Sequence, residues 1–445
     1  MNRYIELYIF PKIIVLALCL FITNLYTSQK LILGDYVPGN GLVFSSSDQN
    51  YKVVLRGYSQ SLFESKTVRF DSLEITDNNA YNRFRARRVR LRLSGNQFYP
   101  GFSYRLQVDL AQSTVGDGEL SGMLLDAWIG YNFSKNVKIT LGQKATPTDN
   151  LELQMASNSL QLPERSKLTS AFCSIREVGM FLDGKFKIGQ KSVIKTMFNI
   201  TNGDGSNTML NDFGGLKYGA RINILPFGLF RNFGQFRQVD MVRELNPKLM
   251  IGICGSYNVG MSSRRGRGNG DILYLNDNAE FSLPNYLKYG GDVLFKYRGF
   301  SLLSEFVETK SYVPADISQR IRNDGTVSTS FPVNGDQNIE NYIKNRMMLG
   351  KGFNVQMGYL LKSLYSFDVR YTNLIPDEFS FMNNTAFYNR NKYYTIGLSK
   401  YLLKSYTYKI QASYTFVDDA LIRNSQGFEF SGNENILRLM VQIAF

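Results

Sequence analysis

Residues 434–445 read ENILRLMVQIAF, and in this stretch Leu437, Leu439, Val441, Ile443 and Phe445 alternate with Arg438, Met440, Gln442 and Ala444. Side chains two apart share a face of an extended strand, so the segment presents one apolar and one wet surface. The rhythm recurs upstream. Tyr406, Tyr408, Ile410, Ala412, Tyr414 and Phe416 alternate with Thr407, Lys409, Gln411, Ser413 and Thr415, and Tyr365, Phe367, Val369 and Tyr371 alternate with Ser366, Asp368 and Arg370. The whole chain is 44% hydrophobic with a mean hydropathy of -0.21, as a water-soluble protein would be. A barrel that crosses a membrane has the same average, because lipid-facing and lumen-facing positions alternate and no long apolar run accumulates.

Working back from the terminus, sixteen runs of this kind are predicted near 51–62, 84–95, 102–112, 123–133, 136–143, 174–184, 191–201, 215–225, 247–259, 286–297, 299–310, 352–361, 364–374, 392–402, 405–416 and 435–445. Connections are alternately short (96–101, 134–135, 298–299, 362–363, 404–405) and long (66–81, 113–122, 144–173, 202–214, 261–285, 311–351, 373–391, 418–435). Short periplasmic turns and long extracellular loops are the mark of an up-and-down outer-membrane barrel, and an even strand number returns both ends to one side. Closure follows from chemistry, since an open sheet edge in hydrocarbon would leave a row of unpaired backbone groups. The expected fold is therefore all-β: one transmembrane antiparallel barrel over residues 51–445. A soluble sandwich explains neither the 28 Tyr and 32 Phe nor the terminal Phe445. Tyr131, Tyr297, Tyr359 and Tyr401, near strand ends, are expected in interfacial girdles. Residues 226–246, with Phe227, Phe230, Phe233 and Phe236, stand outside the rhythm and receive no role from it.

At the start, Arg3 and Lys12 precede the apolar stretch 13–26, followed by Thr27 and Ser28. This reads as a signal peptide, residues 1–28, cleaved after Ser28. About 14 apolar residues are short for a membrane anchor, and Leu18 disfavours Cys19 as a lipid acceptor. Residues 29–50 then form an N-terminal periplasmic segment. Removal of Arg3, Glu6 and Lys12 leaves the charge one unit below the +14 of the full chain, so a lumen or rim favouring anions is expected. Cys173 and Cys254 sit on different predicted elements, and no disulfide is expected. The chain has no histidine, which excludes Ser-His and Cys-His chemistry. No enzyme, cofactor or metal is expected, since no phosphate loop occurs and Asn202, Asp204 and Asn207 lack calcium-loop spacing. Arg264, Arg265 and Arg267 read as a solvated loop able to touch lipopolysaccharide rather than nucleic acid.

The stretches RFRARRVRLRLSG (83–95), FSYRLQVD (102–109), LLDAWIGYNF (124–133) and VKITLGQKATP (137–147) resemble the phosphate-selective porin O and P family. The resemblance is tight over about 82–185 and rests on strand rhythm and terminus thereafter. It implies a sixteen-stranded, homotrimeric porin whose loop 144–173 folds inward as a constriction. The Glu164–Arg165 pair resembles the family's Glu-Arg, with Lys144 and Lys167 also in this loop. The terminal Phe445 resembles the signal read by barrel-assembly machinery.

If Val89, Leu91 and Leu93 face lipid, then Arg88, Arg90 and Arg92 face the lumen. The same parity turns Arg105, Lys138, Lys217, Arg221, Lys288, Arg370, Lys409 and Arg438 inward, opposite Asp109, Asp126, Asp183, Asp292, Glu305 and Asp368. Fixed charge sets the selectivity of a pore, so the expected function is passive diffusion of small hydrophilic solutes with a weak to moderate anion preference. The bland reading of such inward charges is a salt-bridge network that braces the wall. The rival function is a structural or adhesive barrel whose lumen is plugged by loops such as 311–351. An energised transporter would need a plug domain and about 22 strands.

Overall fold

The computed structural model describes residues 31–33, 41–70, 81–97, 101–111, 123–206, 213–267, 272–384, 390–423 and 429–445. The expected signal peptide, 1–28, lies outside the described residues, as do parts of several long connections.

Sixteen antiparallel strands form one closed barrel. In chain order they are β1 (Tyr51–Phe70), β2 (Tyr81–Gln97), β3 (Phe102–Asp109), β4 (Leu124–Asn132), β5 (Val137–Ala145), β6 (Arg176–Ile188), β7 (Ser192–Thr201) and β8 (Lys217–Leu225). The second half comprises β9 (Lys248–Asn258), β10 (Asn285–Tyr297), β11 (Phe300–Tyr312), β12 (Gly350–Leu360), β13 (Tyr365–Pro376), β14 (Arg390–Tyr401), β15 (Tyr408–Arg423) and β16 (Glu429–Ala444). Each predicted run has its strand. The main difference lies at the long-loop ends of β1, β15 and β16, which run past their predicted limits of 62, 416 and 435. The apolar alternation ends where a wall leaves hydrocarbon, while backbone pairing continues into water.

β16 closes the barrel on β1, from Gly432 opposite Phe70 to Ala444 opposite Tyr58. Beyond that point Phe445 and Gly57 exchange backbone hydrogen bonds of 2.9 and 3.1 Å. The Phe445 ring lies over Gly57, where a Cβ would meet it at 2.4 Å, so a side chain there would displace the terminal ring. The edge of β1 left free below β16 is covered by the strand Leu42–Ser46, itself paired with Leu31–Leu33.

Parity sorts the surfaces. Along β13 Tyr365, Phe367 and Val369 are exposed while Ser366, Asp368 and Arg370 are buried, and along β16 Leu437, Leu439, Val441 and Ile443 are exposed while Met440 and Gln442 are buried. An outer wall of Phe84, Ile129, Leu141, Ile253 and Ile396 requires hydrocarbon around it. One girdle assignment is corrected. Tyr359 is exposed, but Tyr401 is fully buried and turned inward, packed with Tyr406, Val239 and Met241. An element rising from the turn end supplies this apolar contact, so the ring leaves the lipid side.

Candidate functional site

The lumen is divided by residues 146–175, the long connection between β5 and β6. It carries two short helices, α1 (Leu151–Gln154) and α2 (Lys167–Phe172). Ser166 caps α2 by accepting from the Thr169 N–H, the usual partner geometry for a serine N-cap. The loop is pinned to one side of the barrel by buried charge. Lys288 on β10 pairs with Asp149, with side chains 3% and 0% exposed. Arg370 on β13 pairs with Glu152 at 3.2 Å, and Lys409 on β15 donates to the Leu160 carbonyl at 2.9 Å. Gln161 reaches Ser301 and Gln356 through its side chain and accepts from Ser399 through its backbone. Apolar contacts seal the joint: Leu151 and Met155 pack with Val193, Met250, Leu294 and Leu303, and Leu168 and Phe172 with Leu374, Phe381 and Tyr393.

Glu152 is the centre of this joint. Its carboxylate accepts from Ser166 N and Oγ at 2.8 Å each, from Thr169 Oγ1 at 2.6 Å, from Gln238 at 3.0 Å and from Arg370 at 3.2 Å. Its own N–H donates to Glu305 at 2.7 Å. Arg165 holds the loop from within, donating to the carbonyls of Glu152 and, at 2.6 Å, of Met155.

The other half of the lumen is open. One cavity of about 2220 Å³ is lined by Ser206 and Arg267 from the long-loop end and by Tyr406 and Phe445 at the turn end. Basic side chains outnumber acidic ones several-fold among its lining residues. The richest wall is β2, which turns Arg83, Arg85, Arg87, Arg88, Arg90 and Arg92 into it. A strict period of two could not do this, since three of these positions are odd and three even. The register slips at this point: Gln60 faces Arg88 and Ser61 faces Ala86, leaving Arg87 as the extra residue of a bulge. Phe84, 84% exposed, and Leu91 still point outward on either side of it. A bulge bends a strand and re-aims its side chains, and here it keeps the arginine row unbroken.

Part of this row is neutralised. Glu164, at the open edge of the loop, accepts from Arg87 and Arg88 and lies 3.5 Å from Arg85. Glu64 binds Arg83 and Arg438, both at 2.6 Å. Arg90 is held by Asp109 at 2.7 Å and Ser157 at 2.9 Å. Arg92 differs, because it makes no ion pair among the described residues and the charges around it are Arg105 and Arg56, opposed by Asp126. Next to this group, Trp128, the sole tryptophan, faces the lumen with Arg105 5.1 Å and Lys138 4.5 Å from its ring. Arg105 is 3.6 Å from Asp126, and Lys138 donates to Ser103.

Of the residues singled out in the sequence, Arg88, Arg90, Arg92, Arg105, Lys138, Arg370 and Arg438 line the cavity. Lys217, Arg221 and Lys409 point inward but are at most 3% exposed, and they lie away from it: Lys217 binds Glu177 at 2.7 Å and Arg221 binds Asp292 at 2.5 Å. The inward loop covers them, which alternation within a strand cannot reveal. Lys144 lies on β5 and pairs with Asp183 at 3.2 Å, and Lys167 sits 5.6 Å from the Tyr393 ring. Cys173 and Cys254 are free thiols. Sequence parity missed Arg83, Arg85 and Arg87, although the doublet Arg87–Arg88 within an alternating run was a sign of the slip.

Residues 226–247 form a second inward element. Phe230 joins the cluster of Leu151 and Met155. Gln238 accepts from the Gln161 N–H at 2.7 Å and donates to Glu152. Arg237 lies 4.8 Å from the Tyr406 ring, and both line the cavity. The constriction is thus built from both ends of the barrel.

Burial alone would raise the Glu164 carboxyl, but Arg88 and Arg87 overcome it and hold it well below the usual carboxylate range. A group with a depressed folded pKa stabilises above its unfolded value, about 4.3 for Glu, and loses that contribution as pH falls through the folded value. The loop edge should therefore resist pepsin at about pH 4 and become fully cleavable only toward about pH 1. Equal cleavage at both would refute this assignment of the ion pair.

The model of the family described as Phosphate-selective porin O and P matches residues 63–227. Among solved structures, the outer membrane channel DcaP of Acinetobacter baumannii is similar at 14% identity and TM-score 0.48, over 90% of this chain and 99% of that one. An anion-selective porin from Comamonas acidovorans is similar at 9% identity and TM-score 0.48, over 89% and 100%. OmpT of Vibrio cholerae, in its trimer form, is similar at 9% identity and TM-score 0.47, over 88% and 99%. No curated relative matches the chain.

Proposed function

We propose that this chain, which carries the phosphate-selective porin O and P match over residues 63–227, is a passive anion-preferring diffusion channel of the Gram-negative outer membrane. The observation that carries the reading is the lumen cavity lined by residues from both ends of the barrel and walled by the six arginines of β2. An uneven ring of fixed positive charge raises the local concentration of anions over cations. Arg83, Arg85, Arg87, Arg88 and Arg90 share their charge with Glu64, Glu164 and Asp109, so Arg92, with Arg105 and Lys138 over Trp128, supplies much of the bias. Phosphate-type oxyanions suit guanidinium forks and are the solute class the family resemblance suggests. The same resemblance suggests a homotrimer, and the leader 1–28 is removed on export.

The test is ion-substitution conductance in a planar bilayer. Changing Arg92, Arg105 and Lys138 together to Gln should move the reversal potential toward cations. A unit charge about 8 Å from a passing ion contributes about 0.5 kcal/mol in a water-like dielectric. Three change the anion concentration about tenfold and, since a cation feels the same energy with opposite sign, the anion-to-cation ratio about a hundredfold, reduced to about tenfold at moderate salt. An unchanged reversal potential would remove these residues from selectivity. Folded protein that never conducts would favour the plugged, structural barrel.

A further inference from the structure

The long loops fold into a small body of their own at the outer end. Met261, Ile272, Tyr274, Tyr286, Phe331 and Ile343 share one buried cluster. Above it the strand Leu273–Leu275 pairs with Gln319–Ile321, which pairs with Val327–Ser328. The helix α3 (Ile339–Lys344) packs alongside, capped by Asn338. A connection as long as 313–349 that builds sheet, helix and core is more than a tether, and long ordered loops are usually functional.

Between this sheet and α3 lies a cavity of about 360 Å³ whose lining shares no residue with the lumen cavity. Arg320, Arg322 and Arg346 all line it. The guanidiniums of Arg320 and Arg346 stand 4.8 and 4.6 Å from the centroid of the same ring, Tyr342. Neutral oxygens orient all three: Arg320 Nε donates to the Ser330 carbonyl at 2.7 Å, Arg322 to Ser328 Oγ at 3.2 Å, and Arg346 to the Tyr342 hydroxyl. None of them has a carboxylate within 4 Å among the described residues. The one acid lining the cavity, Asp324, is engaged by Thr326 N and Oγ1 at 3.0 and 2.7 Å. Three cations stand against one acid, Asp324 beside the exposed Arg322, which leaves the group net positive, and each keeps N–H donors free for an anion. Ile272, Leu273 and Ile321 form an apolar wall beside the charges. The Tyr274 hydroxyl, on a side chain 1% exposed, has no hydrogen-bond partner, which is costly in a buried position unless a ligand or a small shift supplies one.

We propose that this outer cavity binds a phosphorylated sugar, the phosphate on Arg320, Arg322 and Arg346 and the carbon face of the ring against the apolar wall. A volume of this size suits one or two sugar rings. The same chemistry is offered by a soluble sugar phosphate and by the phosphorylated hexosamine headgroup of lipopolysaccharide in the surrounding leaflet.

The experiment uses the full-length protein in detergent and calorimetric titration with glucose 6-phosphate, glucose, and lipopolysaccharide with and without its phosphates. Saturable binding of a phosphorylated probe but not its neutral counterpart is expected, weakened about ten- to a hundredfold by Arg320→Gln with Arg346→Gln. A binding event that is lost on Arg92→Gln belongs to the pore and is scored apart from this site. Binding of the soluble probe identifies the free solute as the source, and binding of phosphorylated lipopolysaccharide alone identifies the headgroup. Wild-type conductance by the double variant certifies its fold, and Arg322→Gln alone serves if that variant does not assemble. The proposal is overturned if neither phosphorylated probe binds, or if binding survives these substitutions.

Discussion

Replacing Glu152 by Leu is expected to free the constriction loop, raising single-channel conductance and exposing Arg165 and Lys167 to trypsin. The carboxylate satisfies two donors of Ser166, one of Thr169, one of Gln238 and one of Arg370, on a side chain that is fully buried. Leucine fills the space and accepts nothing. Arg370 would then be a buried cation beside Gln238, and breaking a buried pair by removing one partner typically costs about 3–5 kcal/mol. The barrel wall itself keeps its ladder, so the loss falls on the loop. Loss of protection should appear as a nick within 146–175 on a denaturing gel while the folded barrel keeps its heat-modifiable mobility. Glu152→Gln retains one acceptor oxygen and should show a smaller effect. A Glu152→Leu channel with wild-type conductance and no nick would mean that the apolar contacts of Leu151, Leu168 and Phe172 hold the loop unaided.

The wall was readable because a membrane barrel repeats one rule. Every strand must be apolar at alternate positions, so Tyr365 to Tyr371 or Leu437 to Phe445 declare strand, face and lipid side together. The lumen obeys no such rule. Lys409 and Arg438 both point inward from neighbouring strands, yet the first is sealed beneath Leu160 and the second borders the cavity. What separates them is the path of a loop some 250 residues away in sequence, set by ion pairs such as Lys288–Asp149 that leave no local periodicity. The six-arginine row is an intermediate case. Its three even members followed from alternation, whereas Arg83, Arg85 and Arg87 needed the bulge opposite Gln60.

The second inward element was the least legible, and it carries the other large expected effect. Residues 226–247 show neither a period of two nor one of 3.6, and Asn232 and Phe233 adopt left-handed φ values of 50° and 56°. Their shape is imposed by partners on distant strands. The Lys296 ammonium on β10 donates to the carbonyls of Gly234, Arg237 and Val239 at 2.9, 2.7 and 3.0 Å, and Tyr406 donates to the Val239 carbonyl at 2.9 Å. Lys296→Met keeps the bulk of the side chain and removes all three donors. The Arg237 carbonyl then has no donor, at a cost of about 1–3 kcal/mol, while Val239 keeps the Tyr406 hydroxyl and Gly234 the Arg237 N–H, so the segment loosens from the wall at Arg237. Conductance should rise, and because Arg237 would leave its place 4.8 Å from the Tyr406 ring, anion preference should fall with it. Opening the loop through Glu152 should raise conductance while leaving Arg237 in place. A Lys296→Met channel whose selectivity is unchanged while its conductance grows would show that Arg237 lies outside the ion path. A channel unchanged in both would show that Tyr406, Gln238 and the packing of Val239 and Met241 suffice to hold the segment.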